Sequence, residues 1–103
     1  PISLIDEKMP IVALTPSDHL YTKMLNNVNE VKARNGMVIA IATEDNSEIA
    51  SIVDRVIYIP NSSSILSPML LAIPMQLLAY HIATNRGCDV DQPRNLAKSV
   101  TVE

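Results

Sequence analysis

The chain has only two glycines, Gly36 and Gly87, and both stand at the ends of helix-like runs. A dinucleotide fingerprint or a phosphate-cradling P-loop needs several glycines at fixed spacing after a strand, so neither exists here. Cysteine is limited to Cys88. A single thiol excludes an internal disulfide and a cysteine-based metal site, and it points to a reducing compartment, the cytoplasm. The two histidines, His19 and His81, have no Cys, His or carboxylate at ligand spacing, so no metal is expected. His19 is expected to be solvated in the first turn of a helix, and His81 to be a hydrogen-bonded packing residue on an apolar one.

Basic charge is also sparse. Eight Lys and Arg stand against eleven Asp and Glu, a net charge of -3, and the basic residues are scattered. Nucleic acid and anionic membrane surfaces, which need a basic stripe, are excluded as partners. Pro1 to Pro10 mixes Asp6, Glu7 and Lys8 with short apolar stretches and lacks the basic and apolar regions of a secretory signal. The absence of an initiator Met suggests a piece of a longer chain. The most apolar run, Met69 to Ala83, is interrupted by Pro74, Gln76 and His81. It falls short of the ~20 apolar residues of a membrane span and reads as buried helix.

What remains is a folded, 48 % hydrophobic sequence with the punctuation of an α/β domain. Ile11 to Leu14, Met37 to Ala42 and Arg55 to Ile59 are continuously apolar or β-branched, as strands covered on both faces are. Between the first two, Thr15 is placed to cap a helix with Pro16 in its first turn and Asp18 completing a box-like pair. Asn35-Gly36 stops that helix. Its apolar stripe is Leu20, Met24, Val28 and Val31. Ser47 to Asp54 reads as a short second helix with Ile49, Ile52 and Val53 inward. A third begins near Ser67-Pro68 and ends at Arg86-Gly87, with Pro74 kinking it or marking its true start.

The alternation predicts an open, mainly parallel sheet with helices on both sides. The third helix is apolar nearly all round, and three strands make a thin core for this length, so a further neighbour is expected. After Gly87 the chain has no helical period. It keeps apolar anchors at Leu96, Val100 and Val102, the pattern of a tail that docks in a groove.

Few residues suggest chemistry. Ser62-Ser63-Ser64 follows the third strand, where backbone N–H groups could receive a phosphate, but without glycines a solvated turn is favoured. Asp6, Glu7, Glu44, Asp45 and Glu48 read as loop and helix-start charges, with no acid-base pair among them. Cys88, just past a helix C-terminus, reads as inert. Lys98 lies among small and apolar residues, and an amine so placed can form a Schiff base with a sugar carbonyl once its pKa of about 10.4 is lowered. Composition alone favours an ordinary solvated lysine.

A resemblance changes that balance. The run from Asp89 to Glu103, Asp-Val-Asp-Gln-Pro-Arg-Asn-Leu-Ala-Lys-Ser-Val-Thr-Val-Glu, resembles residue for residue the C-terminal signature of the glutamine-fructose-6-phosphate aminotransferases. Pro74 to His81 resembles the helix leading into it. Pro1 to Pro10 resembles the stretch after the family's Glu-Leu-Lys-His-Gly motif. The match is loose between Ser17 and Leu66 and tight after Pro74.

The resemblance implies that residues 1–88 form most of the second sugar-isomerase (SIS) domain, a flavodoxin-like three-layer sandwich, and that residues 89–103 are an extended C-terminal tail closing over the sugar site. It implies an enzyme that converts fructose 6-phosphate and glutamine to glucosamine 6-phosphate and glutamate without metal or organic cofactor. Lys98 is then the catalytic residue, and Ala97 supplies a backbone contact to the substrate. The implied partners are the rest of the isomerase half, the glutaminase domain, which Arg94 and Asn95 could meet, and a second copy in a homodimer. The phosphate-binding loop and the remaining catalytic groups belong to other parts of such an enzyme, so this piece alone should be inactive. The rival is a non-catalytic sugar-phosphate-binding SIS module, which would have no need of the Ala97-Lys98 tail. A deaminase or simple isomerase of the same fold is disfavoured by the same tail.

Overall fold

A computed structural model of the chain describes residues 2–92. Three parallel strands, β1 (Pro10–Thr15), β2 (Met37–Thr43) and β3 (Arg55–Ile59), form a sheet in that order. Ala13 lies opposite Ala40, and Ile41 opposite Ile57. The helix α1 (Tyr21–Lys32) joins β1 to β2, a 3-10 turn (Glu48–Ser51) lies between β2 and β3, and α2 (Ser67–Asn85) follows β3. The predicted α/β architecture is the observed one.

The central strand explains the arrangement. Side chains alternate across a strand, so β2 must find apolar cover on both faces. On one face Val38 packs with Ala13 and with Val28 and Val31 of α1, while Ala40 and Ala42 pack against Ile49 of the 3-10 turn. The small alanines let these elements sit close to the sheet. On the other face Ile41, fully buried, packs with Ile59 and with Leu71 of α2. Burying a side chain of this size contributes roughly 1.5–3 kcal/mol.

Two boundaries differ from expectation. The first helix starts at Tyr21, and its N-cap position, Leu20, makes no side-chain cap. Thr15 instead ends β1 and donates its hydroxyl to the Ile41 carbonyl, and Asp18 accepts the Leu20 N–H at 2.8 Å. The would-be capping groups are spent on the sheet and on a turn. The expected second helix shrinks to one 3-10 turn, although Ile49, Ile52 and Val53 do pack inward; so short a segment forms too few hydrogen bonds to propagate a helix. The third helix begins at Ser67 as expected and runs through Pro74, which is therefore not its true start. His81 is exposed, its ring meeting that of Tyr80 edge-on at 5.4 Å, and is not buried as expected.

Both helices close in the same way. Asn35 (φ 58°) and Gly87 (φ 71°) take the left-handed conformation. The next residue then bonds back to the last turn, Gly36 N–H to the Val31 carbonyl at 3.1 Å and Cys88 N–H to the Ala83 carbonyl at 2.9 Å. Gly36 is needed for space, because a Cβ there would lie 2.6 Å from Val31 Cγ1 and 2.7 Å from Ile5 Cγ2. Asp54 ties the end of α1 to the sheet, accepting the Val38 N–H at 2.7 Å and the Lys32 ammonium at 2.8 Å.

The chain divides into two compact units, Pro1–Ala72 and Ile73–Glu103. The first holds the sheet, α1 and the opening turns of α2. In the second, none of the described residues is buried, and α2 presents Ile73, Leu77, Tyr80 and Ile82 to solvent. No helix among the described residues is long and apolar enough to cross a membrane. Replacing Gly36 by Ala should lower stability by about 1–3 kcal/mol through overpacking, read as a fall in denaturant midpoint at unchanged m-value. Asn35→Gly should leave the midpoint level or slightly raised.

Candidate functional site

In open parallel sheets, ligands and catalytic groups collect where the strands end and the loops begin. Three loops meet there in this chain. The one after β1 brings Ser17, the one after β2 brings Glu44, Asp45 and Asn46, and the one after β3 brings Asn61. Each polar group lies just beyond an apolar strand, so the sheet carries it to the rim.

The hydrogen bonds have a defined direction. Ser17 N–H donates to Thr43 Oγ1 at 3.1 Å, Ser17 Oγ lies 2.5 Å from Thr43 Oγ1, and Ser17 Oγ bonds Asp45 Oδ1 at 3.0 Å. An ionised carboxylate only accepts, so the Ser17 proton goes to Asp45 and the Thr43 hydroxyl donates to Ser17. Asp45 Oδ2 accepts Asn61 Nδ2–H at 3.2 Å, and Glu44 Oε1 accepts the Asn61 backbone N–H at 3.4 Å. Asn46 accepts the Ile49 N–H at 3.3 Å and the Tyr21 hydroxyl at 3.4 Å. One carboxylate thus joins all three loops.

The Thr43 and Ser17 hydroxyls hold the Asp45 carboxyl below the ordinary carboxylate value. It is an anion at neutral pH with both oxygens engaged, unsuited to proton transfer, and its evident work is to brace the loops. Glu44 and Asp45 also disfavour an anion at this rim. Ser62 to Ser64 form the turn into α2: the Ser63 carbonyl accepts N–H groups of Leu66 and Ser67, and the Ser62 hydroxyl bonds the Ser63 carbonyl at 3.3 Å. The turn is the one favoured from sequence.

Lys98 and Ala97, with Arg94 and Asn95, lie outside the described residues. Cys88 is free and exposed, and His19 is exposed in the loop before α1. Among the described residues no group of three or more His, Cys, Asp or Glu could hold a metal ion. The rim cluster escaped the sequence reading, which took Asp45 as a loop charge. The available signal is a polar residue within three positions of the end of each apolar run: Ser17, Asp45 and Asn61.

The SIS domain model matches residues 1–86. The chain belongs to the SIS domain family. Over all 103 residues this SIS chain is 56 % identical to the glutamine-fructose-6-phosphate aminotransferase (isomerizing) of Chlorobaculum tepidum and 56 % identical to that of Thermus thermophilus. It is 50 % identical to that of Methanosarcina acetivorans. It spans 17 % of the length of each of these relatives. Among solved structures it is similar to the C-terminal domain of glucosamine-fructose-6-phosphate aminotransferase from Francisella tularensis, with TM-score 0.83 and 39 % identity over 89 % of this chain and 26 % of that one.

Asp45 and Asp54, the latter held low by the Lys32 ammonium and the Val38 N–H, share a sign. A carboxyl with a depressed folded-state pKa adds stability that is complete above its ordinary value of 3.8 and is lost as pH falls through the lower folded value. Asp45→Asn should therefore flatten the acid limb of the stability curve below pH 3.8 and speed proteolysis of the loop after β3 at neutral pH. An unchanged acid limb and unchanged proteolysis would show that the carboxylate braces nothing.

Proposed function

We propose that this chain is the C-terminal part of the isomerase half of a glutamine-fructose-6-phosphate aminotransferase. The whole enzyme takes fructose 6-phosphate and glutamine to glucosamine 6-phosphate and glutamate, in the cytoplasm, as a homodimer. The observation that carries the reading is the 56 % identity to such enzymes along the entire chain, the tail included. The fully aligned tail favours an enzyme over a sugar-phosphate-sensing module.

In this reading residues 1–88 supply the second SIS domain, and residues 89–103 close over the sugar. Lys98 adds its amine to the carbonyl of the open-chain sugar, with Ala97 holding the sugar through its backbone. Amine addition requires the neutral form, so the site must desolvate Lys98 or set another cation near it. A carboxylate elsewhere in the enzyme moves the proton between C1 and C2. The chemistry calls for no metal or organic cofactor. The glutaminase domain supplies ammonia, and Arg94 and Asn95 meet it. The apolar residues of α2 pack against the rest of the isomerase half or the second copy. This piece alone is inactive.

The test is glucosamine 6-phosphate synthesis by the full-length enzyme. Lys98→Ala and Lys98→Arg should each reduce synthesis by about 100-fold or more while glutamine hydrolysis persists, since arginine keeps the charge but cannot act as the amine. Near-normal synthesis in both would make the tail a structural lid. No synthesis by the wild type would favour the sensing module.

A further inference from the structure

The sequence holds one Asn-Gly pair, Asn35-Gly36. Asparagine is chemically labile, most of all before glycine, which has no side chain to shield its nitrogen. In the reaction the Gly36 nitrogen gives up its proton to water or hydroxide and attacks the Asn35 side-chain carbonyl carbon. The bond to the side-chain nitrogen breaks, ammonia leaves, and a five-membered succinimide remains. Water then opens the ring at one of its two carbonyls, giving aspartate or isoaspartate.

The fold treats the two halves of this pair differently. Asn35 is exposed at the end of α1 with φ 58°, whereas Gly36 is buried. Among the described residues nothing hydrogen-bonds the Asn35 side-chain amide. Asn46 and Asn61, each followed by serine, have theirs engaged, the first by Tyr21 and Ile49 and the second by Asp45. At Asn35 it is the nucleophile that is held. Gly36 N–H donates to the Val31 carbonyl at 3.1 Å. Its Cα sits in a slot so narrow that a Cβ would lie 2.6 Å from Val31 Cγ1 and 2.7 Å from Ile5 Cγ2. A nitrogen whose proton is bonded to a carbonyl, in a residue wedged between two side chains, is kept from attack until the helix end opens.

We infer that Asn35 is a deamidation site gated by the fold, and that its isoaspartyl product cannot rebuild the end of α1. Isoaspartate routes the main chain through the former side-chain carbon, adding one carbon between residues 35 and 36. The Gly36 N–H then cannot meet the Val31 carbonyl while its Cα stays in the slot. Aspartate leaves the backbone unchanged and tolerates the left-handed conformation. The modification is therefore slow in the closed molecule and, in its isoaspartyl form, leaves the link from α1 to β2 open.

The test holds the full-length protein at mildly alkaline pH, native and unfolded in urea. Peptides covering residue 35 are scored for deamidation by mass and for isoaspartate by an isoaspartyl methyltransferase. The Asn35 amide should be lost at least about 10-fold more slowly in the native protein, and urea below the unfolding transition should speed its loss in step with exchange of the Gly36 amide. Equal rates in native and unfolded protein would overturn the gate. So would a native rate that stays level while Gly36 exchange rises. After brief proteolysis of aged native protein, chains cut between Val31 and Val38 should be several-fold richer in isoaspartate than intact ones, and Asn35→Asp should be cut no faster than wild type. Equal isoaspartate in cut and intact chains, or rapid cutting of Asn35→Asp, would overturn the role given to the lengthened backbone.

Discussion

The burial of β2 on both faces is the constraint on which the rest depends. Val38, Ala40, Ile41 and Ala42 are sealed from solvent, and apart from Val38, whose N–H and C=O pair with Asp54, their backbone groups must bond to β1 and β3. A parallel strand in this position obliges the chain to return over the sheet each time. α1 and the 3-10 turn exist as those returns, on the face where Ala13, Ala40 and Ala42 leave room. The opening of α2 covers the opposite face through Leu71.

The same constraint places the polar groups. Parallel strands end on one side, so the loops that leave them converge and bring together residues 28 positions apart, as Ser17 and Asp45 are. There a single carboxylate accepts from two loops while sitting on the third. This is bracing, a role distinct in kind from the amine chemistry proposed for Lys98.

Much of the fold was legible because its signals are local. Continuous runs such as Met37 to Ala42 mark strands covered on both sides, and Asn35-Gly36 and Gly87 mark helix ends by the conformations they allow. The start of α1 was misplaced because Thr15 and Asp18 suit a cap equally well as residues, and only the nearby Ile41 carbonyl and Leu20 N–H decided where their side chains went. The second helix was overestimated because inward spacing of Ile49, Ile52 and Val53 is satisfied by a single turn as well as by two. His81 was expected to be packed because the residues around it are apolar, yet apolarity of a helix does not say what covers it.

By itself the sequence determined the class of fold, the order of strands and helices and the places where the helices stop. It also carried, in the run from Asp89 to Glu103, the resemblance that the comparisons bear out along the whole chain. Tertiary structure decided which partner each polar side chain takes, which face of each helix is covered, and that Asp45 braces three loops. The reason is range: backbone conformation and apolar period are set within a few residues, whereas the partners of Thr15, Thr43 and Asp45 lie 16 to 28 residues away and come within reach only after the sheet has formed.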